Sequence, residues 1–158
     1  MRRQNRHRPH PCPLICYNRV VDDKYKSVRG VITKGDQILL MHRKMDGEEY
    51  WVFPGGKVEE GEAPEQTLKR EVWEECSLHV TQIGQMYTYP HPKDIKACFF
   101  ECGVGDGEPK LDHSGTEKIT DTDWYNPEWI SISDAKKLEK LYPEPMTIKV
   151  RELGVLKT

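Results

Sequence analysis

Apolar positions along the chain fall into short runs whose period changes. Across residues 27–41, Val28, Gly30, Val31 and Ile32 form one extended run, and Ile38, Leu39, Leu40 and Met41 form a second. Lys34, Gly35 and Asp36 between them supply turn chemistry, so the segment predicts a β-hairpin. Residues 43–49 read as a polar loop leading to a short aromatic strand, Tyr50 to Phe53, which Pro54-Gly55-Gly56 stops. From Pro64 to Cys76 the period becomes helical. Leu68, Val72 and Cys76 recur at i, i+4 and i+8, no glycine intervenes, and Pro64 sits in a first turn where its missing N–H costs nothing.

Further on, residues 78–89 alternate and carry aromatic strand formers up to Pro90-His91-Pro92, and residues 96–102 (KACFFEC) read as a buried strand. Residues 103–118, rich in Gly, Asp and Glu, predict a loop. Residues 123–132 predict a strand interrupted at Pro127. A short helix over 133–141 would be capped by Ser133 or Asp134. Residues 146–156 suit either strand or helix. Strands interleaved with two helices predict a mixed sheet in an α/β or α+β domain.

A chain of 158 residues fits one domain. With 36% hydrophobic and 32% charged residues and a mean hydropathy of -0.77, it has a polar surface around a modest core. No apolar run approaches the roughly 20 residues of a membrane helix. Net charge is -2, so the molecule as a whole is not built to neutralise a nucleic-acid backbone. The charge is unevenly placed, however. Residues 1–19 carry five arginines and no acid, which leaves -7 for residues 20–158. The expected organisation is therefore a basic, solvated arm over 1–19 and one domain over 20–158. Pro9, Pro11 and Pro13 break any apolar stretch after the arginines, so the arm does not read as a secretion signal. Five cysteines without such a signal predict reduced thiols and a cytoplasmic location. His7, His10, Cys12 and Cys16 lack the spacing of a zinc finger or ribbon. Cys98 and Cys102 read as small core hydrophobes.

The chemistry lies in the acids. Seven of the chain's 16 glutamates fall within residues 59–75. On a helix, Glu71, Glu74 and Glu75 stand at i, i+3 and i+4 and share a face beside the apolar stripe. Carboxylates so crowded repel one another unless a cation joins them, and hard oxygen ligands select Mg²⁺ or Mn²⁺. A run of glutamates on a helix is ordinarily a solvated face. The preceding Gly55 and Gly56 change that reading, because glycines let a backbone carbonyl turn toward the same cation.

At this point the residues resemble a known family. Gly56, Glu62, Arg70, Glu71, Val72, Glu74, Glu75, Ser77 and Leu78 follow the spacing of the Nudix box, the signature of MutT-type hydrolases that cleave nucleoside diphosphates linked to another group. Trp51, Phe53, Pro54 and Gly55 resemble the usual lead-in. The box has a glycine where this chain has Ser77; that position carries no reacting atom, so a changed helix exit is expected and not a lost activity.

The resemblance implies an α/β/α sandwich with a mixed β-sheet and a pyrophosphohydrolase activity needing Mg²⁺, with Mn²⁺ as the alternative. It implies metal ligation by Glu71, Glu74, Glu75 and the Gly55 carbonyl, joined by a later-loop acid, for which Glu117 is the candidate and Asp121 the second. Glu71 would be a ligand or the base for the attacking water, Arg70 would grip a glutamate carboxylate, and Glu62 would orient the start of the helix. The expected substrate is a nucleoside triphosphate, oxidised or not, cleaved to monophosphate and pyrophosphate. The alternatives are ADP-ribose or a nucleotide sugar (Pro92, fifteen residues past Ser77, is the hint), an RNA 5′ end reached through the basic arm, and a module that binds nucleotides without cleaving them. Tyr50, Trp51, Tyr87, Tyr89 and Phe99 are the candidates for stacking a base, each equally suited to the core; substrate-binding residues stay unassigned. His42, His79, His91 and His113 read as structural or surface residues. The expected state is a monomer or homodimer with no membrane partner.

Overall fold

The computed structural model describes residues 25–88, 97–111 and 119–144, together with Met146, Val150 and Glu152. The basic arm, Pro92, Tyr89, His91, His113 and Glu117 lie outside the described residues. The predicted hairpin is present: β1 (Ser27–Lys34) and β2 (Gln37–Met45) turn at Gly35 and Asp36, with Lys34 opposite Gln37. Residues 43–49 are not a loop. β2 continues to Met45, turns at Asp46 and Gly47, with φ of 52° and 80°, and returns as β3 (Glu48–Val52). Two consecutive left-handed residues suit the twist of a hairpin, so the Asp-Gly pair outweighs the polarity of the segment.

The glycine segment that stops the aromatic strand is itself paired in the sheet. Gly55–Lys57 form a short strand, β4, antiparallel to β1. The helix α1 (Pro64–Cys76) has the predicted bounds and buries Leu68, Val72 and Cys76. β5 (Val80–Thr88) and β6 (Ala97–Val104) follow, then β7 (Trp124–Ser131), α2 (Ile132–Ala135) and β8 (Leu141–Tyr142). β7 runs unbroken through Pro127, which proline tolerates on an edge strand. The short helix α2 begins one residue earlier than expected and stops at Ala135, well short of residue 141; its cap is Ser131 and not Ser133 or Asp134, the Ser131 hydroxyl oxygen accepting from the Asp134 N–H at 3.0 Å. Met146, Val150 and Glu152 are helical.

The eight strands of the described residues join one mixed sheet, in which β1 runs parallel to β6 and β3 parallel to β8. β1 gives one edge to β6 and divides the other. Ser27, Val28 and Arg29 face β4, whereas Ile32, Thr33 and Lys34 face β2. The sheet therefore splays at the middle of β1, and the β3–β4 turn enters the split, where the Gly30 N–H donates to the Pro54 carbonyl at 2.8 Å.

Alternation along the strands feeds two cores. Val28, Ile32, Leu39 and Met41 meet α1 through Leu68, Val72 and Cys76. Val31, Ile38, Leu40, Phe53, Tyr87 and Phe99 pack on the opposite face with Ala135, Met146 and Val150. Helical residues cover both faces of a mixed sheet, an α/β/α arrangement. Cys76, Cys98 and Cys102 are buried and free. Among the described residues no helix is long and apolar enough to cross a membrane.

Candidate active site

The site forms where α1 meets the split in the sheet. Ala63, the residue that caps α1, has no polar side chain, so the preceding segment organises the helix start. Gln66 Oε1 accepts from the Ala63 N–H at 2.9 Å, and Glu62 Oε2 accepts from the Glu59 N–H at 3.1 Å and the Thr67 hydroxyl at 2.8 Å. Arg70 then ties this segment to the helix. Its Nε donates to Glu62 Oε1 at 2.7 Å, and its Nη2 to Glu62 Oε2 at 3.0 Å and the Lys57 carbonyl at 3.1 Å. Its Nη1 reaches Glu71 Oε1 at 2.8 Å and Glu74 Oε2 at 3.3 Å. One guanidinium thus collects three glutamates, as its planar fork allows.

The carboxylates sit in unlike surroundings. Arg70 holds the Glu62 carboxyl down at about 2. Burial raises Glu71 above the ordinary range, against the pull of Arg70. Burial pushes Glu75 up to about 7, opposed first by the Gly55 N–H, which donates to Glu75 Oε2 at 2.9 Å. Glu75 makes no ion pair among the described residues, and Glu74 stands half in solvent.

Two glycines permit this packing. A Cβ on Gly56 would collide with the Glu71 carboxylate, and one on Gly55, where φ is 145°, would collide with the Val28 carbonyl. Only bare backbone lets α1 lie this close to β4.

The predicted residues Glu62, Arg70, Glu71, Glu74, Glu75 and Gly55 are brought together, although not around one point. Glu75 turns to the Gly55 amide while Glu71 and Glu74 turn to Arg70, and among the described residues no three His, Cys, Asp or Glu side chains converge closely enough to ligate one ion. The donor set nevertheless fits a hard divalent cation. Glu71 and Glu75 are carboxylates whose charge burial disfavours, and the Gly55 carbonyl lies on the same wall. A shared ion would draw Glu71 and Glu74 from Arg70.

Ser77 ends α1 in the left-handed region, with φ 55° and ψ 32°, as a glycine there would. Among the aromatic candidates, Tyr87 and Phe99 are core residues. Trp51 stacks on His42 with centroids 4.0 Å apart, and Trp73 stacks on His79 at 4.3 Å. His42 Nδ1 and Nε2 lie 3.3 Å from Glu128 and 3.2 Å from Glu49, so this ring ties β3 and β7 to β2. Sequence reasoning missed Thr67, the Lys57 carbonyl and Arg29. Arg29 Nη1 donates to the Phe53 carbonyl at 3.1 Å and the Gly55 carbonyl at 3.2 Å. An arginine at an alternating strand position carries no local signal of such contacts.

A family model described as the NUDIX domain matches residues 24–146. An 8-oxo-dGTP diphosphatase of Proteus vulgaris is 50% identical over 42 residues, 27% of this chain and 38% of that protein. An RNA pyrophosphohydrolase of Psychromonas ingrahamii is 33% identical over 69 residues, 44% of this chain and 38% of that protein. The chain therefore spans well under half the length of both relatives. A solved MutT structure, from a comparison of Aliivibrio salmonicida and Vibrio cholerae, superposes with a TM-score of 0.60 at 25% identity, covering 80% of this chain and 92% of that one.

Proposed function

The chain belongs to the NUDIX family, and from that premise we propose that it is a divalent-metal-dependent pyrophosphohydrolase acting on a nucleoside triphosphate, oxidised or not. The reaction releases a nucleoside monophosphate and pyrophosphate. The observation that carries this reading is the packing of two partly buried acids onto two glycines: the Glu71 carboxylate over Gly56, and Glu75 on the Gly55 amide. The 8-oxo-dGTP diphosphatase activity named for the Proteus relative supports the substrate class.

Glu71, Glu74, Glu75 and the Gly55 carbonyl would hold Mg²⁺, or Mn²⁺ in its place. The cation, when bound, offsets the charge of the diphosphate and lowers the pKa of a bound water. The protein's own part is positioning. Arg70 holds Glu71 beside the glycine strand and restrains Glu74 at 3.3 Å. Glu62 fixes Arg70 through two parallel hydrogen bonds along one edge of the guanidinium. Glu71, half-buried with a raised pKa, is suited to accept the proton of the attacking water. Glu117 or Asp121 remains a candidate for a further acid.

The test is hydrolysis across nucleoside triphosphates, ADP-ribose, nucleotide sugars, dinucleoside polyphosphates and triphosphorylated RNA, with and without Mg²⁺. Chromatography should show monophosphate and pyrophosphate as first products from a triphosphate. Diphosphate and orthophosphate would overturn the assignment. A second reading, removal of pyrophosphate from an RNA 5′ end, is favoured by the five arginines of residues 1–19 and by the activity named for the Psychromonas relative. Under it, deleting residues 1–19 would weaken RNA binding and flatten its salt dependence, while free-nucleotide hydrolysis persists.

A further inference from the structure

Arg29 stands on β1 between two neighbours, opposite Gly55 of β4 and Phe99 of β6. Its Nη1 is fully used, by the Phe53 and Gly55 carbonyls. Its Nε and Nη2 hydrogens have no partner among the described residues, and the side chain makes no ion pair there. This is unusual in a site so rich in glutamate. Arg70 pairs with carboxylates through the same kind of fork, whereas Arg29 is pinned by neutral carbonyls and acts on Glu71 and Glu75 through space alone, with no direct ion pair to either.

The surroundings raise the value of that charge. Phe53 and Phe99 meet edge to face, with centroids 5.6 Å apart, and both are buried; Arg29, itself partly buried, donates to the carbonyl of the first and stands opposite the second in the sheet, so it is anchored beside an apolar pair. Charge-assisted hydrogen bonds are stronger where water is excluded. A role confined to holding the Phe53-Pro54-Gly55 turn would need Nη1 alone. The remaining edge, Nε with Nη2, has the spacing that receives two oxygens of a phosphate.

From this geometry we infer that Arg29 is an anion-binding residue, whose Nε and Nη2 take phosphate oxygens of the nucleotide beside the Gly55 carbonyl. The inference rests on the proposed pyrophosphohydrolase reading. It adds a contact on β1, on the strand side of the cleft, to the carboxylates that α1 provides. The diphosphate would lie between the guanidinium and the cation held by the glutamates.

The experiment titrates a nucleoside triphosphate analogue, bridged by methylene between the α and β phosphorus atoms, into wild type, Arg29→Met and Arg29→Lys in Mg²⁺. Calorimetry should show binding weakened about tenfold or more in both variants, the usual worth of a charge-assisted pair. Mg²⁺ titrated alone should bind Arg29→Met at least as tightly as wild type, because a nearby positive charge is gone. Lysine keeps a charge and a donor for the turn, so Arg29→Lys should melt with wild type and lose analogue affinity all the same. Unchanged analogue affinity in Arg29→Lys would overturn the inference, as would parallel loss of Mg²⁺ and analogue in Arg29→Met. If Arg29→Met fails to fold, Arg29→Lys decides alone. A wild type that binds neither the analogue nor any nucleotide of the screen overturns the functional reading and this inference together. Analogue binding that both variants retain overturns this inference only.

Discussion

Arg70 grips Glu62 through two parallel hydrogen bonds, Nε to Oε1 at 2.7 Å and Nη2 to Oε2 at 3.0 Å. The pair joins the segment before α1 to its second turn, where no side chain of Ala63 caps the helix. Because the folded-state pKa of Glu62 is depressed to about 2, its contribution to stability is present above the ordinary carboxylate pKa and is lost as pH falls through about 2. Glu62→Gln removes that dependence. Melting temperature plotted from pH 6 to pH 2 should fall less steeply below pH 4.5 in the variant. Parallel curves would show that the pair adds nothing to the acid limb.

Glu75 titrates in the opposite sense. Its folded-state pKa is raised to about 7 by burial, so in metal-free protein the folded state holds a proton that the unfolded state has released. Stability should decline as pH rises from about 4.5 through 7. Glu75→Gln keeps the acceptor for the Gly55 amide and removes the charge, and in chelator at pH 7.5 it should melt no earlier than wild type. Adding Mg²⁺ should reverse the order, since wild type alone gains the full binding energy. Turnover in the variant should fall by about two orders of magnitude. Equal responses to Mg²⁺ would remove Glu75 from the metal site.

What could be read from the sequence was what neighbours in the chain decide. The bounds of α1 follow from Pro64 and from Leu68, Val72 and Cys76 at i, i+4 and i+8, and the β1–β2 hairpin follows from two apolar runs around Gly35-Asp36. The glutamate spacing, read with the glycines, pointed to Glu71, Glu74, Glu75 and Gly55, and the resemblance added Arg70 and Glu62; the fold brings these residues together. What was illegible depends on distant partners. The β2–β3 hairpin looks like a loop because its inner positions are polar. His42, beyond the expected end of its run, stays in β2 by stacking on Trp51 of the expected aromatic strand. Arg29 gains its role from carbonyls 24 and 26 residues away, presented only when β4 pairs with β1. No local pattern of charge or period encodes that meeting.

Ser77 offers a test of backbone against side chain. A residue other than glycine at φ 55° carries a steric cost of about 1 kcal/mol. Ser77→Gly should therefore stabilise the fold and raise the melting temperature by about 2–4 °C for a chain of this size. Hydrolysis should be unaffected, because the residue follows the helix and, among the described residues, donates only its N–H, to the Trp73 carbonyl at 2.9 Å. A lower melting temperature would reveal a serine contact that outweighs the strain.

Gly56 tests the contact between α1 and the glycine strand. Its φ lies outside the left-handed region, so alanine suits its backbone, and the cost of Gly56→Ala must come from the added Cβ, which would occupy the place of the Glu71 carboxylate. Displacing that carboxylate should destabilise the fold by about 1–3 kcal/mol, as overpacking does. Moving an acid of the site by about an ångström should lower turnover about a hundredfold. The two effects can be traced to one contact by a double-mutant cycle. In a Glu71→Ala background the Cβ meets no carboxylate, so adding Gly56→Ala should change stability by less than about 0.5 kcal/mol. If Gly56→Ala costs as much stability with Glu71 truncated as with it intact, the glycine is required by something other than Glu71, and the packing of that acid onto β4 is not what the residue serves.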